Sequence, residues 1–217
     1  MKSGKTHQVK TWNGDFGRKY TNRNIFLPKA LDKFYIDTWG VSRSQMLKDF
    51  LIPVRKNIET VLEVGCNVGN QLNCLQNLGF KELYGIDVQA YAVEKAKKIT
   101  KDINIIKGSA FDIPFKNNYF DLVFTAGVLI HVSPNDINMA LDEIYRCSKR
   151  YICGFEYFAK GYTEINYRGN NNLLWKTDFC RLYLDRFEDL KIAKEKKYKY
   201  VKSDKADSMF LLEKKSI

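Results

Sequence analysis

The residues Thr60-Val-Leu-Glu-Val-Gly-Cys-Asn-Val-Gly69 form the stretch that decides the fold. The first five are mostly apolar or β-branched, which predicts a buried strand. The two glycines then let the backbone turn sharply and approach a ligand closely. Leu72, Leu75 and Leu78 recur at helical spacing until Gly79 ends the element. The stretch and its continuation therefore predict a strand, a glycine-bearing turn and a helix.

The alternation of strand and helix continues along the chain. Further strands are predicted at residues 83–86, 103–106, 119–125 and 150–155. Helical patterns separate most of them, which indicates a parallel sheet covered on both faces. Two final β-like runs have no helix between them and predict an antiparallel hairpin at one edge, over residues 190–201 and 208–212. We therefore predict an α/β fold: a Rossmann-like, mostly parallel sheet of seven strands with a C-terminal antiparallel hairpin.

The chain divides into a lid and a core domain. Residues 1–54 are predicted to form an N-terminal arm followed by helices, with the helices over 27–37 and 42–51. Residues 55–217 form the predicted core domain, which carries an insertion around 156–178. Long loops at the carboxyl ends of strands commonly build the substrate site, so we expect the insertion to contact the acceptor.

Composition limits the possible partners. The 217 residues carry a net charge of +11, which attracts nucleic acid, nucleotide-linked substrates and acidic lipids alike. No recognisable nucleic-acid-binding module is present, which disfavours nucleic acid without excluding it. The apolar runs are of strand length and the first ten residues are polar, so we expect a cytoplasmic protein without a membrane span. Five cysteines without a Cys-x-x-Cys pair, and only two histidines, indicate neither a disulfide framework nor a metal site.

Two acidic residues near the glycine-bearing turn indicate which nucleotide binds there. Asp87 ends the second strand, 18 residues after Gly69, where a carboxylate can accept hydrogen bonds from ribose hydroxyls. The dinucleotide fingerprint is G-x-G-x-x-G, whereas this chain has Glu-x-Gly-x-Asn-x-Gly. Glu63 disfavours a pyrophosphate and suits a cationic ligand with an amino group. S-adenosylmethionine has a sulfonium, an ammonium and no phosphate.

Over roughly residues 55 to 215 the chain resembles the class I methyltransferases. The first motif, the ribose-binding acid, the Gly108-Ser-Ala-Phe111 loop and the segment Phe120 to His131 carry the resemblance. Two positions depart from the family pattern, with Asn67 in place of the middle glycine and Ser109 in place of the usual acid. The resemblance implies S-adenosylmethionine as cofactor, S-adenosylhomocysteine as product, and these cofactor-binding residues, together with an arm tyrosine: Tyr20, Glu63, Gly65, Asn67, Gly69, Asp87, Val88, Ser109, Ala110, Phe111, Thr125 and Gly127.

A narrower resemblance concerns the acceptor. The first motif combined with Trp12-Asn-Gly-Asp-Phe-Gly-Arg-Lys-Tyr20 and Leu174-Trp-Lys-Thr-Asp178 is similar to methylases associated with pseudaminic acid biosynthesis. It implies a nonulosonic acid or a nucleotide-linked amino sugar as acceptor, small, polar and anionic. The insertion and arm supply cations and aromatic rings that could hold such a sugar. The predicted substrate-binding residues are Arg23, Tyr167, Arg168, Trp175, Lys176 and Asp178.

Methyl transfer from a sulfonium is an in-line displacement, in which alignment and desolvation are the main contributions of the protein. A hydroxyl acceptor also needs a base, and His131, just after the fourth strand, is the candidate. The charge leaves an RNA or protein methyltransferase as an alternative. A non-catalytic, S-adenosylmethionine-binding regulatory protein is another. An NAD-dependent dehydrogenase fits the glycine spacing and the hairpin less well.

Overall fold

A computed structural model describes residues 6–215, so five residues of the predicted lid and the last two of the core domain lie outside the described part. The main sheet has the strand order β3-β2-β1-β4-β5-β9-β8, and β6 and β7 pair separately. The strands are β1 (Thr60–Val64), β2 (Glu82–Asp87), β3 (Asn104–Lys107), β4 (Phe120–Ala126), β5 (Ser148–Tyr157), β6 (Thr163–Glu164), β7 (Trp175–Lys176), β8 (Leu190–Lys199) and β9 (Ala206–Lys214).

The pairing confirms the predicted fold class. Strands β1 to β5 pair in parallel with their neighbours, and β9 is antiparallel to both β5 and β8. The C-terminal hairpin therefore closes one edge of a sheet of seven strands, as the sequence predicts. β8 is the edge strand: it pairs with β9 on one side and with no strand among the described residues on the other. Most of its side chains are exposed, with lysines at 191, 194, 196 and 199.

Helices cover both faces of the sheet. They are α1 (His7–Asn13), α2 (Asp15–Arg23), α3 (Pro28–Trp39), α4 (Arg43–Leu51), α5 (Asn70–Asn77), α6 (Ala90–Ile99), α7 (Ile137–Cys147) and α8 (Phe179–Arg186). Two of the sequence predictions need correction. The first 24 residues contain two helices where only an arm was predicted. The segment Ser133-Pro-Asn-Asp136 is typical of a helix start, but α7 begins only after it, because the Ser133 hydroxyl donates to the Asp136 carboxylate instead of capping the helix.

Alternation along the strands divides the apolar side chains between two cores. In β1, Val61 belongs to the core beneath α3 to α6, whereas Leu62 and Val64 belong to the core beneath α7 and α8. The same division holds in β4, where Leu122 and Val123 face opposite sides. All five cysteines are buried free thiols, as their sequence context indicates. No helix within residues 6–215 has the length and apolar character to cross a bilayer.

Gly154 on β5 packs directly against the ring of Phe210 on β9. A methyl group at this position would lie 2.2 Å from Cζ of Phe210, the residue paired with it on β9. We expect Gly154→Ala to lower the free energy of unfolding by about 1–3 kcal/mol, because the ring has to shift within a filled core. Denaturant titration measures the effect. Gly161→Ala is the control, since nothing lies within 4 Å of its added methyl. Equal stability of the two variants would contradict this packing account.

Candidate active site

A cavity of about 530 Å³ opens at the carboxyl ends of the parallel strands. It is lined by residues at or just beyond the ends of β1, β2, β4 and β5, together with residues of the lid. In open α/β sheets this is where ligands bind, because the loops that follow the strands meet there. The predicted cofactor and acceptor regions therefore converge on one cavity.

The turn after β1 is held in a left-handed backbone conformation. Gly65 has φ of +73° and Asn67 has φ of +48°. A side chain at Gly65 would meet Val128, because an added methyl would lie 2.5 Å from Cγ2 of that residue. Asparagine is among the few other residues that adopt the left-handed region readily. Asn67 thus preserves the backbone shape of the glycine that the family pattern has at this position.

Asp87 joins the ends of β1 and β2. Its two carboxylate oxygens accept hydrogen bonds from the backbone N–H groups of Asn67 and Gln89, each at 2.8 Å. Burial raises the pKa of Asp87, and these two bonds act in the opposite direction by stabilising the charged form. The carboxylate is therefore fixed in position at the cavity wall.

Glu63 is the second buried acid of the cavity. It is only 2% exposed, and its Oε2 atom has no hydrogen-bond partner within residues 6–215. Burial raises the pKa of this carboxyl well above its usual value, and the positive charge of Arg43 counteracts the rise. An unpaired buried oxygen is costly unless a ligand donates to it. The ammonium group of an amino-acid moiety is such a donor, so the residues fit the predicted cofactor.

The loop after β3 forms another part of the wall. Ser109, Ala110 and Phe111 line the cavity. The Ser109 hydroxyl oxygen accepts a hydrogen bond from the backbone N–H of Phe111 at 3.2 Å. This serine therefore shapes its own loop.

Side chains in the turns after β1 and β2 form hydrogen bonds with the N-terminal arm. The Gln89 amide, at the start of α6, donates to the carbonyl oxygens of Trp12 and Gly14, both at 3.0 Å. Thr21 of α2 donates to the Asn67 side-chain oxygen at 2.9 Å. Asparagine at position 67 therefore adds a contact to the arm that glycine could not make.

Helix α5 anchors the end of the arm. The Asn70 amide nitrogen donates to the carbonyl oxygen of Asn24 at 2.7 Å, and its amide oxygen accepts from the N–H of Phe26 at 3.2 Å. Asn70 lines the cavity beside Gln71. Sequence analysis missed Asn70, Gln71 and Gln89. A signal was available, since these polar residues occupy the starts of the two helices that follow the glycine turn and Asp87.

His131 lies between the arm and the insertion. Its ring centroid is 4.5 Å from that of Trp12 and 5.2 Å from that of Tyr167. The Nδ1 atom is 2.7 Å from the carbonyl oxygen of Leu173. A carbonyl can only accept, so Nδ1 carries the hydrogen and Nε2 has a free lone pair. Burial lowers the pKa of His131 to about 4, so the ring is neutral at physiological pH.

Glu156 holds the backbone that leads to His131. Its carboxylate accepts hydrogen bonds from the N–H groups of Val128, at 3.1 Å, and Ile130, at 3.5 Å. Burial raises the pKa of Glu156 to about 7. Asp207, whose carboxylate accepts from the Tyr200 hydroxyl, also has a pKa raised to about 7 by burial. Glu156 was not identified from the sequence, although it is the one acidic residue of β5 and follows the apolar end of that strand.

The structure brings most of the predicted site residues to the cavity. Those that line it are Tyr20, Glu63, Gly65, Asn67, Asp87, Val88, Ser109, Ala110, Phe111, Gly127, His131, Tyr167 and Arg168. Six others do not line it, and each has a different environment. Gly69 is the residue before α5, with φ of +78°, and Thr125 is buried within β4. Arg23 is exposed at the end of α2.

The remaining three belong to the insertion and have other surroundings than the cavity. Trp175 is buried, with 6% exposure, so its ring faces are not available for stacking on a sugar. Lys176 instead has its ammonium 5.2 Å from the ring centroid of Tyr157. The Asp178 carboxylate caps α8 by accepting from the N–H of Arg181 at 3.0 Å.

We expect Asn67→Gly to loosen the arm without disturbing the turn. Glycine adopts the same left-handed conformation, but the hydrogen bond from Thr21 is lost. Hydrogen exchange of α1 and α2 should accelerate about 3- to 10-fold, the equivalent of one hydrogen bond. Thr21→Val should have the same effect, and Thr11→Val, which removes a bond within α1, should not. Unchanged exchange in both Asn67→Gly and Thr21→Val would show that the hydrogen bond between Thr21 and Asn67 does not stabilise the arm.

We expect stability to fall as pH rises through neutrality. Glu156 binds its proton more tightly in the folded protein, so this contribution is full below its usual pKa of 4.5 and is lost as pH rises through about 7. Glu156→Gln should remove up to about 3 kcal/mol of the pH dependence. Asp207 contributes in the same direction and is retained in the variant. Denaturant titrations at several pH values between about 4 and 8 measure the free energy of unfolding of both proteins. The exposed Glu59→Gln is the control, and a variant profile parallel to wild type would refute the assignment.

Comparison with known proteins agrees with this geometry. Residues 62–151 match a family described as "Methyltransferase domain". An uncharacterized methyltransferase of Schizosaccharomyces pombe is 24% identical over 59% of this chain, which spans 51% of the length of that relative. The 1,6-didemethyltoxoflavin-N1-methyltransferase of Burkholderia thailandensis, solved with S-adenosylhomocysteine, has a TM-score of 0.71 at 12% identity over 96% of this chain and 89% of its own.

The magnesium protoporphyrin IX methyltransferase of Synechocystis, also solved with S-adenosylhomocysteine, has a TM-score of 0.66 at 13% identity, covering 95% of this chain and 97% of its own. At such identities the solved structures establish a shared fold. The predicted Rossmann-like fold is thereby confirmed, and the family match supports the prediction from the first motif. Residues 62–151 are similar to a methyltransferase domain, and the chain shares the fold of solved S-adenosylmethionine-dependent methyltransferases.

Proposed function

We propose that the whole protein transfers a methyl group from S-adenosylmethionine to a small, polar, anionic acceptor, an amino sugar or nucleotide-linked sugar. One observation carries the methyl-transfer part of the proposal. The unpaired Glu63 oxygen and the fixed Asp87 carboxylate line the same cavity, so an ammonium and a ribose can be held at once. A pyrophosphate would meet two carboxylates there, which disfavours a dinucleotide.

The residues have separate roles toward the cofactor. Glu63 accepts from the ammonium, Asp87 accepts from ribose hydroxyls, and the Ser109 to Phe111 loop contacts the adenine. When bound, the cofactor supplies an electrophilic methyl group on its sulfonium. Tyr20 and Trp12, whose ring centroids are 5.1 Å apart in the arm, cover the cavity and exclude water.

His131 is the proposed base for a hydroxyl acceptor. The bond from Nδ1 to the Leu173 carbonyl fixes the tautomer, so Nε2 can accept the acceptor proton as the methyl group transfers. An amine acceptor needs only to be unprotonated. Glu156 acts on this step indirectly, because it holds the backbone N–H groups of the loop that leads to His131.

Contacts between the arm and the insertion favour a small acceptor over RNA or protein. The Gln8 amide donates to the Asn172 carbonyl oxygen at 3.1 Å, and Phe16 contacts Tyr167, with ring centroids 5.9 Å apart. A polymer would have to separate these segments. Within the insertion, Tyr167 and Arg168 line the cavity and are the proposed contacts for an anionic sugar. The resemblance to the pseudaminic-acid-associated methylases supports that choice of acceptor.

Calorimetric titration with S-adenosylmethionine, S-adenosylhomocysteine and NAD tests the proposal. We expect both adenosyl ligands to bind and NAD not to bind. Asp87→Ala should weaken their binding at least about 10-fold, because it removes the ribose acceptor and frees two backbone N–H groups. Glu82→Ala, which changes an exposed acid at the opposite end of β2, is the control. Binding of NAD alone, or equal affinity in the Asp87 variant, would overturn the proposal.

A further inference from the structure

Arg43 is a buried cation behind the cavity, and its positive charge also acts on Glu63. Its side chain is 1% exposed, and no carboxylate oxygen within residues 6–215 lies within 4.0 Å of its nitrogen atoms. The guanidinium carbon lies 5.5 Å from the ring centroid of Tyr35 and 5.1 Å from that of Phe155. Aromatic faces compensate only part of the cost of burying a charge. An anion nearby would compensate more of it.

A hydrogen-bond chain leads from Arg43 to the cavity. Its Nε donates to the Gln71 side-chain oxygen at 2.6 Å. Arginine can only donate, so the oxygen of the amide must face it and the NH₂ group must face the other way. That NH₂ group donates to the Tyr35 hydroxyl oxygen at 3.3 Å. Gln71 and Tyr35 both line the cavity, whereas Arg43 lies behind them.

This chain of donors sets the direction of the Tyr35 hydroxyl. Its oxygen accepts from Gln71, so its hydrogen has to point elsewhere. No residue in the described part of the chain accepts that hydrogen. Tyr35 is only 5% exposed and borders the cavity. Its hydroxyl is therefore a buried donor without an acceptor in the described part of the protein.

Aromatic rings surround the hydroxyl. The Tyr35 ring centroid lies 4.6 Å from that of Trp39 and 5.7 Å from that of Phe155, and Tyr157 continues the same wall. Phe155 is on β5, next to β4, whose following loop leads to His131. This wall therefore belongs to the side of the cavity where the acceptor would meet the proposed base.

We propose that Tyr35 is a specificity-determining residue that donates its hydroxyl hydrogen to a carboxylate on the acceptor, with Gln71 fixing the direction and Arg43 supplying the positive charge. The inference rests on the proposed function and defines its acceptor further, as a ring that carries a carboxylate. The aromatic side chains can stack on a flat ring or on a sugar ring. The carboxylate is the feature that these two kinds of acceptor share.

Binding of simple carboxylates to the protein saturated with S-adenosylhomocysteine tests the inference. The probes are benzoate, for a flat ring, and glucuronate, for a sugar ring, each compared with its neutral analogue, benzamide or methyl glucoside. We expect at least one carboxylate to bind about 10-fold more tightly than its neutral analogue, as for a charge-assisted hydrogen bond. Titrations followed by ligand-observed NMR measure the dissociation constants, and the tighter carboxylate identifies the ring.

Two variants and a control test whether the preference for the carboxylate depends on the hydrogen bonds that join Arg43, Gln71 and Tyr35. Tyr35→Phe and Gln71→Leu should each abolish the preference for the carboxylate while retaining S-adenosylhomocysteine affinity. Tyr198→Phe is the matched control, because this buried tyrosine also has a hydroxyl without a partner and does not line the cavity. It should leave the preference unchanged.

Three results would overturn the inference. The first is the absence of a carboxylate preference in a protein that binds S-adenosylhomocysteine. The second is an undiminished preference in Tyr35→Phe and Gln71→Leu. The third is an equal loss of S-adenosylhomocysteine affinity in those variants, which would assign Tyr35 to the carboxylate of the cofactor. Failure of the wild type to bind S-adenosylhomocysteine is a different result, since it would overturn the proposed function itself.

Discussion

The two hydrogen bonds that Asp87 accepts are the constraint on which the rest of the site depends. They connect the turn after β1 to the start of α6, and each turn carries a side chain that holds the arm. Asn67 contacts α2, and Gln89 contacts the segment between α1 and α2. Buried charge-assisted bonds of this kind have a fixed geometry. The strand ends therefore fix the two turns, and the two turns in turn fix the position of the N-terminal arm.

Asn67 illustrates how a departure from a family pattern can have a structural reason. The left-handed backbone explains why few residues other than glycine fit, and the contact with Thr21 explains what asparagine adds. Ser109 differs, since its hydroxyl shapes its own loop. Both substitutions alter contacts around the cavity while leaving the strand ends in place, which is consistent with a common fold adapted to a particular acceptor.

The sequence predicted the sheet well, because buried parallel strands have a local signature in runs such as Thr60–Val64. It did not predict α1 and α2, which are held to the rest of the protein by hydrogen bonds with residues far along the chain, such as Asn67, Gln89 and Asn172. The spacing of Trp12, Phe16 and Tyr20 by four residues was a usable signal. The burial of Trp175 could not be predicted, because it depends on β6 and β7 pairing within the insertion. Likewise, the environment of Arg43 exists only once α3, α4 and α5 have assembled.

The lysine-rich edge strand β8 has a consequence for association between copies of the protein. An unpaired strand edge is a template for adding a strand from another molecule. Its exposed lysines give two such edges the same charge, so edge-to-edge pairing is opposed by repulsion. That repulsion weakens as salt shortens the range of electrostatic interactions. The β8 edge is therefore protected best against the addition of another strand at low ionic strength.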